Sequence, residues 1–120
     1  MSTTKALLSR IMETAARKLK CDKGTLYLLD QKTNQLWTAV LQNDLIAEIR
    51  VEPPEGLAGY CFWHKKALKI DDAYSSPYFN QRVDEITGYR TRTVLCVPVP
   101  DKSGKAIVVA QMINKSHGTT

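Results

Sequence analysis

Two segments rich in β-branched residues, 91–99 and 106–114, are separated by a short linker that contains Asp101-Lys102-Ser103-Gly104. A linker this short joins antiparallel strands, because parallel neighbours need a crossover of about a dozen residues or more. The two segments therefore predict a long antiparallel hairpin. An antiparallel sheet is therefore the natural expectation for this chain.

The first half of the chain predicts one helix followed by three strands. Apolar residues recur at helical spacing up to about residue 20, and Thr3 or Thr4 can cap the helix. Residues 25–30, 36–41 and 46–51 are typical of strands, and the residues before them, 21–24, predict a turn. Pro53 and Pro54 end the third strand, because proline cannot donate to a ladder. We expect these three strands to form an antiparallel meander.

The middle of the chain predicts short elements. A helix begins at Gly56 and ends near residue 65, a strand covers residues 67–70, and a loop covers residues 71–77. A further helix at 80–86 ends at Gly88, a residue type common just after helices. The order of elements indicates an α+β class, with a central antiparallel sheet of about six strands and helices on both faces.

Composition limits the class of protein. A chain of 120 residues with 43% hydrophobic and 24% charged residues is typical of one globular domain. The net charge of +5 is spread along the chain, with acidic residues between the basic groups, so we expect no nucleic-acid partner. No stretch resembles a signal peptide or a membrane span, and a cytoplasmic protein without a membrane partner is expected.

The cysteines and histidines do not suggest catalysis. Cys21, Cys61 and Cys96 are far apart in sequence, which argues against a zinc or redox motif, and the last two fit a hydrophobic core. His64 is expected on an exposed helix surface, and His117 lies in a polar tail. Asp71-Asp72 supplies too few oxygens for a cation and favours a turn. Gly56-Leu57-Ala58-Gly59 is too short for a dinucleotide fingerprint. We expect no enzyme activity and no metal site.

Several short stretches then occur together in one order and cover about half of the chain. They are Gly56-Leu57-Ala58-Gly59, Ile70-Asp71-Asp72-Ala73-Tyr74, Pro77-Tyr78-Phe79-Asn80, Val83-Asp84, Thr87-Gly88-Tyr89-Arg90-Thr91-Arg92, Leu95-Cys96-Val97-Pro98-Val99 and Ile113-Asn114-Lys115. This series resembles the GAF domains of cyclic-nucleotide phosphodiesterases and adenylate cyclases. The resemblance implies a single sensory domain over residues 1–120, with a ligand pocket between the sheet and the helices. The implied ligand is cAMP or cGMP, no other cofactor is required, and occupancy is relayed to an output enzyme domain.

The resemblance also implies ligand contacts. Backbone N–H groups near Leu57 and Ala58 would meet a phosphate at a helix N-terminus, and Thr87 and Thr91 would donate hydroxyl groups. On the predicted helix at 80–86, which would cover the pocket as a lid, Asn80 and Asp84 would contact the base or sugar. The sheet would supply the remaining four residues. Thr25, Leu41 and Gln42 would line the floor of the pocket, and Gln111 would present a polar group.

Structural roles are alternatives for several of these residues. Thr91 begins a β-rich segment and can serve the strand, and Asp84 can lie on an exposed helix face near Arg82. Leu57 and Ala58 suit a core. Arg90 and Arg92 are expected in pairs that serve the fold or the surface.

The sequence departs from the family pattern at two places. Family members often carry glutamate where this chain has Gln111, and an amide both donates and accepts, so the preferred base stays open. Only Asn114-Lys115 of a longer family motif is present, so the usual carboxylate partner of the lysine and the final helix are expected to be missing. The chain would then be a fragment or trimmed form of a longer signalling protein.

Two other functions are left open by the sequence. A ligand-free domain could dimerise through the Ala-rich first helix and relay a signal through that homodimer. A bilin-binding domain would need a cysteine on the lid, whereas Cys61 lies on a different predicted helix.

Overall fold

The computed structural model describes residues 3–41 and 48–115, and these form one antiparallel sheet with helices against both faces. The six strands have the order β3-β2-β1-β6-β5-β4. The elements, in chain order, are α1 (Thr3–Lys18), β1 (Cys21–Asp30), β2 (Gln35–Leu41), β3 (Arg50–Val51), α2 (Gly56–His64), β4 (Leu68–Ile70), a 3₁₀ turn (Ala73–Ser75), α3 (Arg82–Thr87), β5 (Val94–Pro100) and β6 (Ala106–Lys115).

The predicted hairpin is formed by β5 and β6, which pair antiparallel from Val94 opposite Ile113 to Pro100 opposite Ala106. Its turn is organised by Asp101, whose carboxylate accepts hydrogen bonds from Ser103 Oγ at 2.6 Å and from the backbone N–H of Lys105 at 3.0 Å. These bonds lower the pKa of Asp101, the Ser103 hydroxyl contributing most. The prediction of an antiparallel sheet is therefore confirmed.

Two separate cores lie on the two faces of the sheet. On one face, Met12 and Ala16 of α1 pack against Leu26, Val40 and Met112. On the other face, buried residues of α2 meet the strands and the loop that follows β4; this cluster contains Tyr27, Leu36, Val51, Leu57, Ala58, Cys61, Ala73, Val94, Cys96 and Val109. The placement of helices on both faces agrees with the α+β prediction. Cys61 and Cys96 are completely buried, as expected of core cysteines.

Several element boundaries differ from the prediction because partners distant in sequence determine them. β1 begins at Cys21, where a turn is predicted, because Cys21 and Lys23 pair with Lys115 and Ile113 of β6. β5 begins at Val94 instead of residue 91, because the preceding residues bond to side chains described below. The third strand is present at Arg50–Val51, and residues 42–47 lie outside the described part of the chain.

The helix boundaries follow local signals more closely. α3 ends at Thr87, and Gly88 after it has φ of +75°, the left-handed conformation expected of a glycine at this position. α1 ends at Lys18, slightly before the predicted end. The side chains of Thr3 and Thr4, the predicted caps, and His117 in the tail are outside the described part. None of the helices that the structure describes has both the length and the apolar character needed to cross a membrane.

Candidate ligand-binding cavity

A cavity of about 100 Å³ lies between the α2 side of the sheet and the segments that carry α2 and α3. Seven residues expected from the family resemblance line it: Thr25, Leu57, Ala58, Asn80, Asp84, Thr91 and Gln111. The side chains of Leu41 and Thr87, and all of Gln42, are outside the described part of the chain. The structure thus brings every described member of the predicted set to one place. Their contact with a ligand stays a prediction.

The floor of the cavity is formed by neighbouring strands in register. Thr25 of β1 lies opposite Gln111 of β6, and Gln111 lies opposite Cys96 of β5. The Cys96 thiol donates to Oε1 of Gln111 over an Sγ–Oε1 distance of 3.3 Å. Tyr27, two residues after Thr25, extends the same face, and burial raises the pKa of its phenol. The Thr25 hydroxyl and the Gln111 amide therefore line the floor, and the buried Cys96 thiol of the next strand is hydrogen-bonded to that amide.

Asp84 of α3 is the centre of a buried hydrogen-bond cluster. Its Oδ2 accepts from the Tyr74 hydroxyl at 2.6 Å and from the Thr91 backbone N–H at 2.8 Å, and its Oδ1 accepts from the Thr91 hydroxyl at 2.9 Å. Asp84 is 8% exposed and Thr91 5% exposed. The alternative of an exposed helix face near Arg82 is therefore wrong for Asp84, because the chain after α3 folds back over its carboxylate. This cluster, called here the Asp84 latch, consists of Tyr74, Asp84 and Thr91.

The Asp84 latch has consequences for neighbouring groups. The hydrogen bond to the Asp84 carboxylate raises the pKa of the Tyr74 phenol, since losing the proton would place two negative charges together. The guanidinium of Arg90 lies over the Tyr74 ring at 4.0 Å from its centroid, an arrangement that is attractive for a cation and an aromatic face. Arg90 thus serves a pair within the fold, as expected from the sequence.

The first turn of α2 forms another wall of the cavity. Gly56, Leu57 and Ala58 line it together with Glu55, the residue that precedes the helix. Glu55 Oε1 accepts from the backbone N–H of Glu52 at 3.3 Å, so this carboxylate also helps to hold the entry into α2. On the α3 side, Asn80 Oδ1 accepts from the backbone N–H of Arg82 at 3.0 Å. Backbone donors at a helix start suit an anion, whereas the charge of Glu55 opposes one.

Sequence reasoning missed four cavity residues with polar side-chain groups: Lys23, Tyr27, Glu55 and Tyr89. Lys23 was hidden because it lies in a predicted turn, although it is two residues before Thr25 and so shares its strand face. The Lys23 ammonium lies 5.6 Å from the Tyr89 ring centroid. It places a positive charge at a site with carboxylates at Glu55 and Asp84.

Tyr89 connects the cavity to the ends of two strands. Its hydroxyl donates to Asp22 Oδ2 at 3.0 Å and accepts from Asn114 Nδ2 at 2.7 Å. Burial, reinforced by the Asp22 carboxylate, raises the pKa of Tyr89 to about 12. The segment that follows α3 is thereby attached to β1 and β6.

Asn114 and Lys115, the pair singled out in the sequence, attach the same segment further. Asn114 Oδ1 accepts from the backbone N–H of Arg92, and its Nδ2 donates to the carbonyl of Arg90 at 2.9 Å. Lys115 Nζ donates to the carbonyl of Leu19, just after α1, at 3.0 Å. The lysine therefore has a carbonyl partner within the described residues, where the family pattern leads one to expect a carboxylate.

Comparison with known proteins agrees with this geometry. The family description "GAF domain" matches residues 3–119 of the chain. The chain belongs to the GAF domain family. Two curated relatives are each 32% identical to it: the dual 3',5'-cyclic-AMP and -GMP phosphodiesterase 11 of Drosophila melanogaster, over 95% of the chain, and the probable 3',5'-cyclic phosphodiesterase pde-5 of Caenorhabditis elegans, over 94%. The chain spans only 9% and 17% of their respective lengths.

Solved structures support the fold. The GAF domain of an Acinetobacter phosphoenolpyruvate-protein phosphotransferase superimposes with a TM-score of 0.75 at 20% identity, covering 93% of this chain and 66% of that one. A type II free methionine-R-sulfoxide reductase from Thermoplasma acidophilum gives a TM-score of 0.77 at 15% identity, covering 97% and 78%. At these identities the likeness concerns architecture alone, so a GAF fold by itself does not separate an enzyme from a regulatory domain.

Proposed function

We propose that this GAF domain is a regulatory module that binds a small ligand, with a cyclic nucleotide as the leading ligand, and relays occupancy to an output domain. The observation that carries the proposal is the cavity between the sheet, α2 and α3, with seven expected residues in its wall. The relatives give further support, because both are named as cyclic phosphodiesterases. The output partner would then be a catalytic domain, and this domain would not itself catalyse a reaction.

The groups around the cavity suit parts of a nucleotide. Gln111 and Thr25 offer an amide and a hydroxyl to a base edge or ribose, and Lys23 offers a positive charge to a phosphate. Tyr27 and Phe79 supply apolar area for a ring. The mixture of apolar wall and a few polar groups is typical of small-molecule sites.

Cavity size indicates that uptake of a nucleotide requires movement. The cavity of about 100 Å³ is smaller than the roughly 300–1,000 Å³ of typical ligand sites. Two residues of the Asp84 latch, Asp84 and Thr91, line the cavity, and the latch holds α3 to Tyr74 and Thr91. We therefore propose that binding displaces α3 and weakens the hydrogen bonds of this latch, and that the loss of these bonds reports occupancy.

Isothermal titration of the chain with cAMP and with cGMP tests ligand binding. We expect saturable heat with at least one nucleotide and a weaker affinity for the Thr25→Val variant, which keeps the side-chain shape and removes the cavity hydroxyl. The matched control is Thr33→Val, an exposed threonine in the β1–β2 turn, which should leave the affinity unchanged. Absence of heat with both nucleotides, at protein concentrations well above micromolar, would contradict the proposal.

A second candidate function is ligand-free dimerisation and relay through α1. The observation that favours it is the exposure of Leu7 (56%) and Ile11 (51%), which lie one helical turn apart on α1. Sedimentation equilibrium tests it: Ile11→Glu should shift a dimer toward monomer, whereas Glu13→Gln, an exposed position on the same helix, should not. A monomer for the unchanged chain at all concentrations would reject this function.

The cellular location belongs to the same proposal. All three cysteines are free, with Cys61 and Cys96 buried and Cys21 half-buried. Free thiols suit a reducing compartment, and we propose the cytoplasm.

A further inference from the structure

Four aromatic side chains form a surface on the outer side of α2, and it is called here the aromatic patch. Tyr60, Trp63 and His64 lie three and four positions apart and so share one face of the helix. The Tyr60 ring centroid lies 4.2 Å from that of Tyr78, in a stacked arrangement, and 4.1 Å from that of His64. Trp63 is 60% exposed and Tyr78 48% exposed, and none of the four residues lines the cavity. The aromatic patch is therefore a surface separate from the proposed ligand site.

The chain next to the aromatic patch is basic. Lys65 and Lys66 follow α2 directly, both are exposed, and neither forms an ion pair with any described residue. The surrounding segment, residues 56–70, contains no aspartate or glutamate. The positive charges at this end of α2 are therefore available to a partner of opposite charge.

The polar groups of this surface are mainly hydrogen-bond donors. The ammonium groups of lysines and the indole N–H of Trp63 can only donate. The hydroxyls of Tyr60 and Tyr78 have no hydrogen bond to another described residue, so both can donate as well. A partner that matches this surface has to bring acceptors and negative charge, together with apolar atoms for the exposed indole ring.

We propose that the aromatic patch, together with Lys65 and Lys66, is a docking surface for an acidic peptide segment of a protein partner, in which glutamate or aspartate residues flank an apolar side chain. The apolar side chain would pack on Trp63, and the carboxylates would accept from the two lysines and the tyrosine hydroxyls. Tryptophan and tyrosine are enriched among the residues that contribute most to protein interfaces. Docking at this surface does not depend on nucleotide binding in the cavity.

Three other occupants suit this surface less well. A second copy of the chain would bring Lys65 and Lys66 of both protomers together, and each copy carries a net charge of +5. Single-stranded nucleic acid needs open ring faces for its bases, whereas the Tyr60 ring is engaged by Tyr78 and His64. An anionic membrane would be held by two lysines and one protruding indole, whereas stable membrane attachment needs a larger apolar face or a lipid chain.

Fluorescence anisotropy with a labelled synthetic peptide of Glu-Glu-Leu repeats tests the docking. We expect saturable binding that weakens as salt is added, because exposed charges are screened. Trp63→Ala should weaken binding about tenfold, the loss expected of a central interface residue. Peptides of Gln-Gln-Leu and of Glu-Glu-Gly repeats lack the charge and the apolar side chain, respectively, and each should bind about tenfold less tightly.

Two lysine substitutions test the charge. Lys65 has φ of +55°, so Lys65→Gly retains the backbone conformation while it removes the charge. Combined with Lys66→Gln, it should weaken peptide binding about fivefold. The matched control is K18Q/K32Q, which removes the same net charge at exposed lysines of α1 and of the β1–β2 turn. This control should keep the affinity within about twofold of the unchanged chain.

The outcomes decide between the occupants. Absence of binding at up to about 1 mM peptide, or equal affinities for the unchanged chain and W63A, overturns the docking surface. Equal losses in K65G/K66Q and K18Q/K32Q overturn the local charge contribution and with it the acidic partner. Trp63-dependent binding that is tighter to oligothymidylate, or to vesicles of phosphatidylcholine and phosphatidylserine, overturns the peptide in favour of nucleic acid or membrane. Self-association that W63A abolishes overturns it in favour of a second copy.

Discussion

Replacing Asn114 by alanine should lower the free energy of unfolding by about 3–5 kcal/mol. Asn114 is buried near the end of β6, and both the oxygen and the nitrogen of its side-chain amide are hydrogen-bonded. Oδ1 accepts from the backbone N–H groups of Arg92 and Thr93, and Nδ2 donates to the Tyr89 hydroxyl and the Arg90 carbonyl. One side chain thereby fixes most of the segment between α3 and β5.

The magnitude has two parts. Four hydrogen bonds at about 1 kcal/mol each set the upper limit for the hydrogen-bond part of the lost unfolding free energy. Because Arg90 and Arg92 are exposed, water can replace some of these bonds in the variant, which leaves a loss of about 2–3 kcal/mol. Asn114 also has φ of +58°, in the left-handed region, where an alanine costs about 1–2 kcal/mol. The sum is a large share of the roughly 5–15 kcal/mol by which domains are stable.

Urea denaturation followed by circular dichroism measures this loss, and two further variants separate its parts. Asn114→Gly loses the same hydrogen bonds but accepts the backbone conformation, so it should be about 1 kcal/mol more stable than Asn114→Ala. Asn114→Asp keeps the two acceptor bonds and should lie between glycine and the unchanged protein. An alanine variant within about 1 kcal/mol of the unchanged protein would refute the assigned network, and equal stabilities of alanine and glycine would refute the backbone contribution.

Three further predictions concern other parts of the fold. Asp84→Ala should lower the free energy of unfolding, measured by urea denaturation, by about 2–3 kcal/mol, because the buried N–H of Thr91 loses its acceptor. An unchanged unfolding free energy would contradict the role of the Asp84 latch. Gly59→Ala should lower the melting temperature, since a Cβ there would lie 3.0 Å from the Pro54 carbonyl carbon; an unchanged melting temperature would show that the backbone yields. Folding raises the pKa of Tyr89 from 10.0 to about 12, so the stability that its protonated phenol contributes is complete below pH 10 and is lost as the pH approaches 12. Tyr89→Phe should therefore make the unfolding free energy fall less steeply between pH 10 and pH 12. An unchanged slope would contradict this assignment.

Local signals allowed the sequence to predict elements whose ends depend on nearby residues. The Asp101 turn and the left-handed Gly88 after α3 are short-range features, and both occur where the sequence indicates them. The starts of β1 and β5 could not be predicted in this way. β1 is lengthened by pairing between Cys21 and Lys115, and β5 is shortened because Thr91 bonds to Asp84 instead.

The cavity residues likewise divide into those that the sequence predicts and those that only contacts between distant segments bring there. Gln111 was expected there from the family resemblance, and the structure adds that the thiol of Cys96 engages its oxygen, a contact that no spacing in the sequence reveals. Lys23 and Tyr89 were missed because each enters the cavity through tertiary pairing: Lys23 through the extension of β1, and Tyr89 through its bonds to Asp22 and Asn114.

The segment between α3 and β5 links the cavity to α1 through discrete hydrogen bonds. Thr91 is held by Asp84 at the cavity, and two residues later the Thr93 hydroxyl accepts from the Lys115 backbone N–H at 2.9 Å. The Lys115 ammonium in turn donates to Leu19, just after α1. Each bond contributes about 1 kcal/mol, and coupling between allosteric sites is typically about 1–3 kcal/mol, so the exchange of one or two of these bonds supplies enough energy for a relay. Under the proposed displacement of α3, these bonds are the connection from the cavity to the end of the first helix, and both proposed functions, ligand sensing and dimer relay through α1, would use it.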